Sequence, residues 1–412
     1  MGMDYLPRLV DARIDTLLAE LPALFLTGPR ATGKTTTAAR RAATGVRRDR
    51  EAEAVAFRAD PDAALRGLPA PVLLDEWQVV PGVLGAVKRA VDADPRPGRF
   101  FVTGSVRSDL HGDLWPGTGR LTRVPMFGMT VREQAGLGGG GVPFLDRVVA
   151  GADLLPTADT PDLRGYVELA LRGGFPEPAL RLGESARRAW LERYVEHLLT
   201  RDAEQIDGGR DPVRLRRYLE AYTLNTAGII DERTLFDAAG INRRTAQAYE
   251  RLLGNLLVVA ALPAWTSNRL KRLVLMPKRH LVEPALAGSI LGLDTTLVLR
   301  EGDLMGRLLD TFVVAQLRAE LATSATRPRL YHVRQQQGRL EVDLLAELAG
   351  GRLVGFEVKA DAAPSPDAAR HLATLRDLYP ETFVAGIVLH TGPRAYGLGD
   401  SLFAVPISSL WG

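Results

Sequence analysis

The chain has 412 residues, 46% of them hydrophobic and 25% charged, with a formal net charge of +3 and no cysteine. Its length exceeds what one hydrophobic core usually organises, so two or three domains are expected, and the lack of cysteine excludes disulfides and cysteine-ligated zinc or iron–sulfur centres. No apolar run approaches the roughly 18 residues of a membrane span, and the N-terminal stretch lacks a signal peptide's apolar core, so a cytoplasmic protein with no membrane contact is expected.

Only five of the 52 basic residues are lysines, at 34, 88, 271, 278 and 359. The Ala-, Arg- and Gly-rich usage puts arginine wherever charge alone matters, which draws attention to the lysines that remain.

In chain order, the first informative stretch is "ALFLTGPRATGKTTTAARRA". A short apolar strand (Leu24, Phe25, Leu26) leads into Gly28-x-x-x-x-Gly33-Lys34-Thr35, and a helix-favouring run follows. This is the P-loop pattern in its proper context. Gly28, Pro29, Arg30, Ala31, Thr32 and Gly33, running on into Lys34, Thr35 and Thr36, are expected to wrap the phosphates of ATP. Lys34 would reach the β/γ oxygens, and the Thr35 hydroxyl would ligate Mg²⁺.

In "APVLLDEWQ", Val72, Leu73 and Leu74 read as a buried parallel strand ending in Asp75 and Glu76. Asp75 would hold the Mg²⁺ hydration shell and Glu76 would polarise the attacking water, a pairing that favours hydrolysis over kinase-type transfer. "RFFVTGS" is another short strand, ending in Thr103 and Ser105, with Ser105 placed to sense the γ-phosphate. In "GTGRLTRVPMFGMTVREQ", Arg120 and Arg123 are arginine-finger candidates. Arg120 is assigned that role, acting from a neighbouring subunit, so a homo-oligomer is expected.

These motifs resemble, in order and spacing, a large prokaryotic family of AAA-type ATPases with a C-terminal domain of unknown function. The likeness continues through "RGGFPEPAL" (172–180) and "YVEHLLTRD" (194–202) and covers most of the chain. It implies an α/β fold in three parts: a P-loop AAA+-type nucleotide domain over 1–150, a helical winged-helix-like middle over 163–300, and an α/β restriction-endonuclease-like (nuclease-like) domain over 301–412.

Within the middle, "TLFDAAGINRRTAQAYERLLGNLLVV" reads as helix, Gly240 turn and second helix, the latter carrying Arg243, Arg244 and Gln247. The strand–turn–strand pattern after it would be a wing, with basic residues at 269, 271, 272, 278 and 279 and no acid among them. DNA contact is therefore expected through Arg243, Arg244, Lys271, Arg272, Lys278 and Arg279. The alternative is a winged helix used only for packing.

Near the C-terminus, "GRLEVDLLAEL" and "RLVGFEVKA" read as two strands flanking "AGG" (349–351). Alternation puts Val354, Phe356 and Val358 on one face and Gly355, Glu357 and Lys359 on the other. A turn centred on Gly350 makes residues whose numbers sum to 700 face each other, so Asp343 opposes Glu357. Asp343, Glu357 and Lys359 then match the array in which two carboxylates hold Mg²⁺ or Mn²⁺ and a lysine orients the hydrolytic water. Asp310, on an apolar helix flank beside Val313, Val314 and Leu317, would add a further acid that needs a metal or Lys359 as its partner. The expected protein is a Mg²⁺-dependent, DNA-binding ATPase with a nuclease-like domain. The alternative is a nucleotide-gated DNA- or protein-binding regulator whose last domain cuts nothing.

Overall fold

The computed structural model describes residues 5–47, 51–80, 82–105, 119–152, 154–204, 211–335 and 339–412. Five strands form a parallel sheet: Ala23–Thr27 (β1), Thr44–Arg47 (β2), Val72–Asp75 (β3), Phe100–Gly104 (β4) and Thr122–Pro125 (β5), in the order β2-β3-β4-β1-β5. Their residues divide between two cores. Phe25, Leu74 and Val102 pack with Val83, Leu84 and Val87 of the helix Val83–Ala93, while Leu24, Leu26, Leu73 and Phe101 pack with Val10 and Ile14. A strand covered on both faces must be apolar at both parities, which is why these strands read as continuous apolar runs. Because all five run the same way, β1 and β3 end on the same edge, with only β4 between them.

A helical region follows. It includes the helices Leu163–Arg172, Pro176–Arg181 and Glu184–His197, and the wide π-turn Leu198–Asp202. The helices Glu232–Ala238 and Arg243–Asn255 are joined through Gly240, whose φ of +63° suits a glycine turn. Asn242 caps the second helix by accepting the Thr245 N–H at 2.9 Å. A two-stranded antiparallel hairpin comes next, Val259–Leu262 (β6) with Lys278–Leu281 (β7), its connection carrying the short helix Arg269–Arg272.

The last six strands are Arg329–Gln335 (β8), Leu340–Glu347 (β9), Leu353–Lys359 (β10), Phe383–His390 (β11), Tyr396–Gly399 (β12) and Leu402–Pro406 (β13). They form a mixed sheet in the order β12-β13-β11-β10-β9-β8. The helix Gly302–Glu320 packs on the face that holds Leu344, Val354 and Phe356, and Leu372 and Leu375 of the helix Arg370–Leu378 cover the other. β9 and β10 pair from Leu353↔Glu347 to Phe356↔Leu344, a register summing to 700 about Gly350 (φ +79°). There the strands part, and the Val358 N–H donates instead to the Asp343 Oδ2 at 3.2 Å. One continuous core extends from Phe144 through the helical region to Trp411, so the helical and C-terminal parts share their apolar interior. Among the described residues no helix is long and apolar enough to cross a membrane.

Two buried carboxylates stitch these parts together. Glu283 accepts the Gly174 N–H at 3.1 Å, and Glu320 accepts the Phe144 N–H at 2.7 Å. Burial is the main cause that pushes each up to about 7. The native state therefore holds protons that an unfolded glutamate, titrating near 4.3, has already released. Between those values the native state binds more protons, so stability falls as pH rises. In urea titrations the wild-type midpoint should drop between about pH 5 and 8, and Glu283→Gln should flatten that decline. Identical slopes for the two proteins would contradict this account.

Candidate nucleotide site and C-terminal carboxylate cluster

β1 delivers the chain to Gly28 at the sheet edge. A Cβ at this position would lie 1.8 Å from the Met126 carbonyl oxygen, so only glycine fits. Gly33, at φ +93°, turns the chain in a left-handed conformation into the helix Lys34–Ala39. The Lys34 ammonium is buried and folds back onto the carbonyl oxygens of Gly28 (2.9 Å) and Pro29 (2.6 Å). Burial depresses its pKa to about 8; Glu76 and Asp75 pull it up and Arg30 pushes it down. A buried ammonium held only by neutral carbonyls is a cation prepared for an anion.

Beside it, the Thr35 hydroxyl donates to the Asp75 Oδ1 at 2.7 Å, and the Thr103 hydroxyl donates to the same oxygen. One carboxylate thus joins the ends of β3 and β4 to the start of the P-loop helix. A hydroxyl and a carboxylate this close are hard oxygen donors that fit a Mg²⁺ ion retaining several waters. Glu76 has a left-handed backbone (φ +52°), its N–H donates to the Thr103 hydroxyl at 3.3 Å, and Gln78 bonds its carboxylate. Burial raises the Glu76 pKa, and Arg30 is the largest influence lowering it. Ser105 is buried at the end of β4, 3.5 Å from the Gln78 amide. Ala31 (φ +59°) and Thr36 line the same cleft, and the Thr32 hydroxyl donates to the Pro29 carbonyl at 2.9 Å.

Arg120 stands apart from this group. It precedes β5, on the sheet edge opposite the P-loop, and pairs with Asp92 at 2.7 Å. From there it cannot reach phosphates bound by its own chain.

The cleft over the P-loop, about 410 Å³, is completed by residues that no local motif marks: Tyr5, Arg8, Pro176, Arg181 and Trp190. Arg8 is buried, donates to the Thr32 carbonyl at 2.7 Å and pairs with Glu133 at 3.0 Å, bracing the loop from behind. Arg30 pairs with Asp202 of the π-turn at 2.9 Å. Pro176 and Asp202 fall within "RGGFPEPAL" and "YVEHLLTRD", the stretches that carried the resemblance beyond the P-loop domain, and this was the only available signal.

The basic residues assigned to a DNA-contacting wing need correction. Lys278 is buried and pairs with Asp310 and, at 3.2 Å, with Asp343. Arg279 is buried against Glu250 (3.0 Å) and the Ile230 carbonyl (2.9 Å). Arg272 forms a two-pronged ion pair with Glu347, both bonds at 2.8 Å, and lies over the rings of Trp265 and Tyr331. Satisfied this way inside the fold, none of the three offers a charge to a phosphate. Lys271, Arg243 and Arg244 are exposed.

The C-terminal array does assemble, around a cation that the sequence reading did not place there. Lys359 pairs with Glu357 at 2.8 Å, and the Asp343 charge acts on Glu357. Burial first, then the Asp343 charge, pushes Glu357 well up. Burial also raises Asp310 against the opposing pull of Lys278. Burial would raise Asp343 too, but Lys278 and Lys359 hold it below its ordinary value. Among the described residues no group of three or more acidic or histidine side chains is arranged to hold a metal ion. The Lys278 ammonium lies between Asp310 and Asp343, and Lys359 lies on Glu357, so each of the three acids already has a cation beside it.

Comparison with known proteins agrees with the P-loop geometry. Residues 20–135 match a family described as an AAA domain, while 163–297 and 305–410 match two domains of unknown function, DUF8612 and DUF4143. The N-terminal part thus carries an AAA domain that contains the P-loop. The uncharacterized proteins Rv2008c of Mycobacterium tuberculosis and Mb2031c of Mycobacterium bovis are each 31% identical over 404 residues, 97% of this chain and 83% of theirs. The chain belongs to the same family as these two proteins. A solved structure, the Walker-type ATPase PABY2304 of Pyrococcus abyssi, aligns at 16% identity and TM-score 0.44, covering 70% of this chain and 96% of that one.

Two outcomes follow from the two buried lysines. Lys34 must be protonated to hold a phosphate, so ATP binding should weaken as pH rises through about 8 and should take up a proton there. Calorimetry in buffers of different ionisation enthalpy reads both effects. Lys278→Met should cost about 3–5 kcal/mol near neutral pH by leaving buried carboxylates unpaired. That loss should shrink at acid pH, where the carboxylates protonate, and an equal loss at both pH values would contradict the ion-pair account.

Proposed function

We propose that the chain binds Mg²⁺·ATP in the cleft over the P-loop, hydrolyses it, and uses the cycle to gate a binding module formed by its helical and C-terminal parts. The observation that carries the reading is the convergence of the Thr35 and Thr103 hydroxyls on one Asp75 carboxylate oxygen beside the Lys34 ammonium. Loop N–H groups and Lys34 would hold the phosphates, and Thr35 and Asp75 would hold the metal. A Mg²⁺ ion held there would supply positive charge against the transferring phosphoryl group. Glu76 orients the attacking water and accepts its proton, steadied by Gln78. Arg120, turned away from its own site, would act on the nucleotide of a neighbouring subunit.

The C-terminal domain is proposed to be a silent relative of a nuclease. Lys278 pairs with Asp310 and Asp343, and Lys359 pairs with Glu357, so these acids are supplied with cations from within the chain. The hairpin connection also favours a protein partner over DNA. Leu270, Leu273 and Val274 are about four-fifths exposed there (78%, 81% and 82%), and such apolar tips suit a protein surface better than phosphates.

Purified chain should hydrolyse ATP, Lys34→Ala should reduce turnover to background, and Glu76→Gln should bind ATP but turn over roughly 10²–10⁴-fold more slowly. Plasmid DNA incubated with wild type and Mg²⁺ or Mn²⁺ should stay intact. Cleavage that Asp343→Ala abolishes would overturn the silent reading, and normal turnover by both P-loop variants would overturn the ATPase reading.

A further inference from the structure

Arg30 has a place in two sites at once. It belongs to the P-loop and lines the nucleotide cleft with Lys34, Thr35 and Glu76. Its charge reaches both catalytic side chains, pushing the Lys34 ammonium and the Glu76 carboxyl down. Its Nη1 pairs at 2.9 Å with the Asp202 Oδ1, which belongs to the helical region. The Asp202 side chain is only 6% exposed, whereas that of Arg30 is 34% exposed towards the cleft. The buried Arg30 Nε has no hydrogen-bond partner among the described residues. A guanidinium presents five N–H donors in a rigid fork, so this one is under-used.

Asp202 is the last residue of the π-turn Leu198–Asp202, which continues the helix Glu184–His197. A π-turn is a local irregularity that can revert to regular helix by shifting one residue, and such turns recur at functional sites. The same helix touches the cleft a second time through Trp190, which stacks on Tyr194 at 5.5 Å between ring centroids. Burial raises the Asp202 pKa, and Arg30, Arg201 and His197 lower it. If Arg30 left, Asp202 would be a buried carboxylate without its ion-pair partner, which is strongly unfavourable.

We propose that Asp202 is a positioning residue that reads nucleotide state for the helical region through Arg30. Without nucleotide, Asp202 holds the guanidinium. A bound triphosphate brings several negative charges into the cleft and draws the guanidinium towards them. Asp202, deprived of its partner, then moves the π-turn and the helix that carries it. The proposal deepens the ATPase reading and rests on it.

The test uses the full chain, Mg²⁺ and a non-hydrolysable ATP analogue. In the wild type, the analogue should change hydrogen exchange across residues 194–204. In Asp202→Asn, which keeps the shape and removes the charge, Arg30 is released beforehand. The analogue should therefore bind roughly tenfold more tightly, with no further change of exchange in that segment. KM for ATP should fall with it, while kcat stays within about twofold, a split that mere loosening of the fold would not give. Asp202→Glu, which keeps the charge, should restore the nucleotide-dependent exchange and also guards against a folding defect in the Asn variant. An Asn variant with wild-type affinity and wild-type exchange response overturns the proposal alone. A wild-type chain that binds no analogue overturns both the proposal and the ATPase reading beneath it.

Discussion

A single buried ammonium fixes how the second half of the chain is put together. Lys278 stands on β7, Asp310 on the helix Gly302–Glu320 and Asp343 on β9, so one cation joins three elements that are far apart in sequence. The neighbouring side chains on that strand extend the joint. Arg279 reaches Glu250 on the helix Arg243–Asn255, and Glu283, just beyond β7, accepts the N–H of Gly174. Gly174 lies two residues before Pro176 in the wall of the nucleotide cleft. The hairpin is therefore a strut. It ties the C-terminal sheet, the paired helices and the rim of the cleft to one another, and the shared core running from Phe144 to Trp411 gives that frame its bulk.

The nucleotide cleft is assembled in the same distributed way. The P-loop and the two acids come from adjacent strand ends, which the parallel sheet places automatically. Holding the loop's shape falls to Arg8, which donates to the Thr32 carbonyl while Glu133 anchors it. Glu133 is itself fixed, accepting the Leu9 N–H at 2.7 Å and closing a capping box with Thr130. The opposite wall belongs to the helical region. A ligand in such a cleft touches two bodies at once, so its binding energy has a route into their relative placement.

What the sequence made legible was whatever depends on neighbours. The P-loop, the strand ending in Asp75 and Glu76, and the helix pair around Gly240 are each set by one short continuous stretch of sequence. The β9–β10 register was legible for the same reason, since a three-residue turn leaves the strands little choice. The destinations of charged side chains were not. Counting basic residues from 269 to 279 detects a local excess of charge, but the partners of Arg272, Lys278 and Arg279 are Glu347, Asp310, Asp343 and Glu250. Those acids lie up to 75 residues away. Charge excess along the sequence therefore differed from charge excess in space. Asp202 escaped notice in the same way, because nothing near it in sequence announces Arg30.

Lys34 and Lys278 show how far surroundings outweigh burial. Both ammonium groups are almost wholly removed from water, and burial opposes the charge of each. At Lys278, Asp310 and Asp343 more than offset that cost and raise its pKa. At Lys34 the nearest groups are neutral carbonyls, the acids stand one step further off, Arg30 adds repulsion, and the pKa falls. The first lysine has its anions already, supplied permanently by the chain, and so functions as structure. The second has the same cost with only partial relief, and the missing favourable term is one that a polyphosphate would supply. Of the two buried lysines, the one left short of an anion by the fold is the one positioned to bind a ligand.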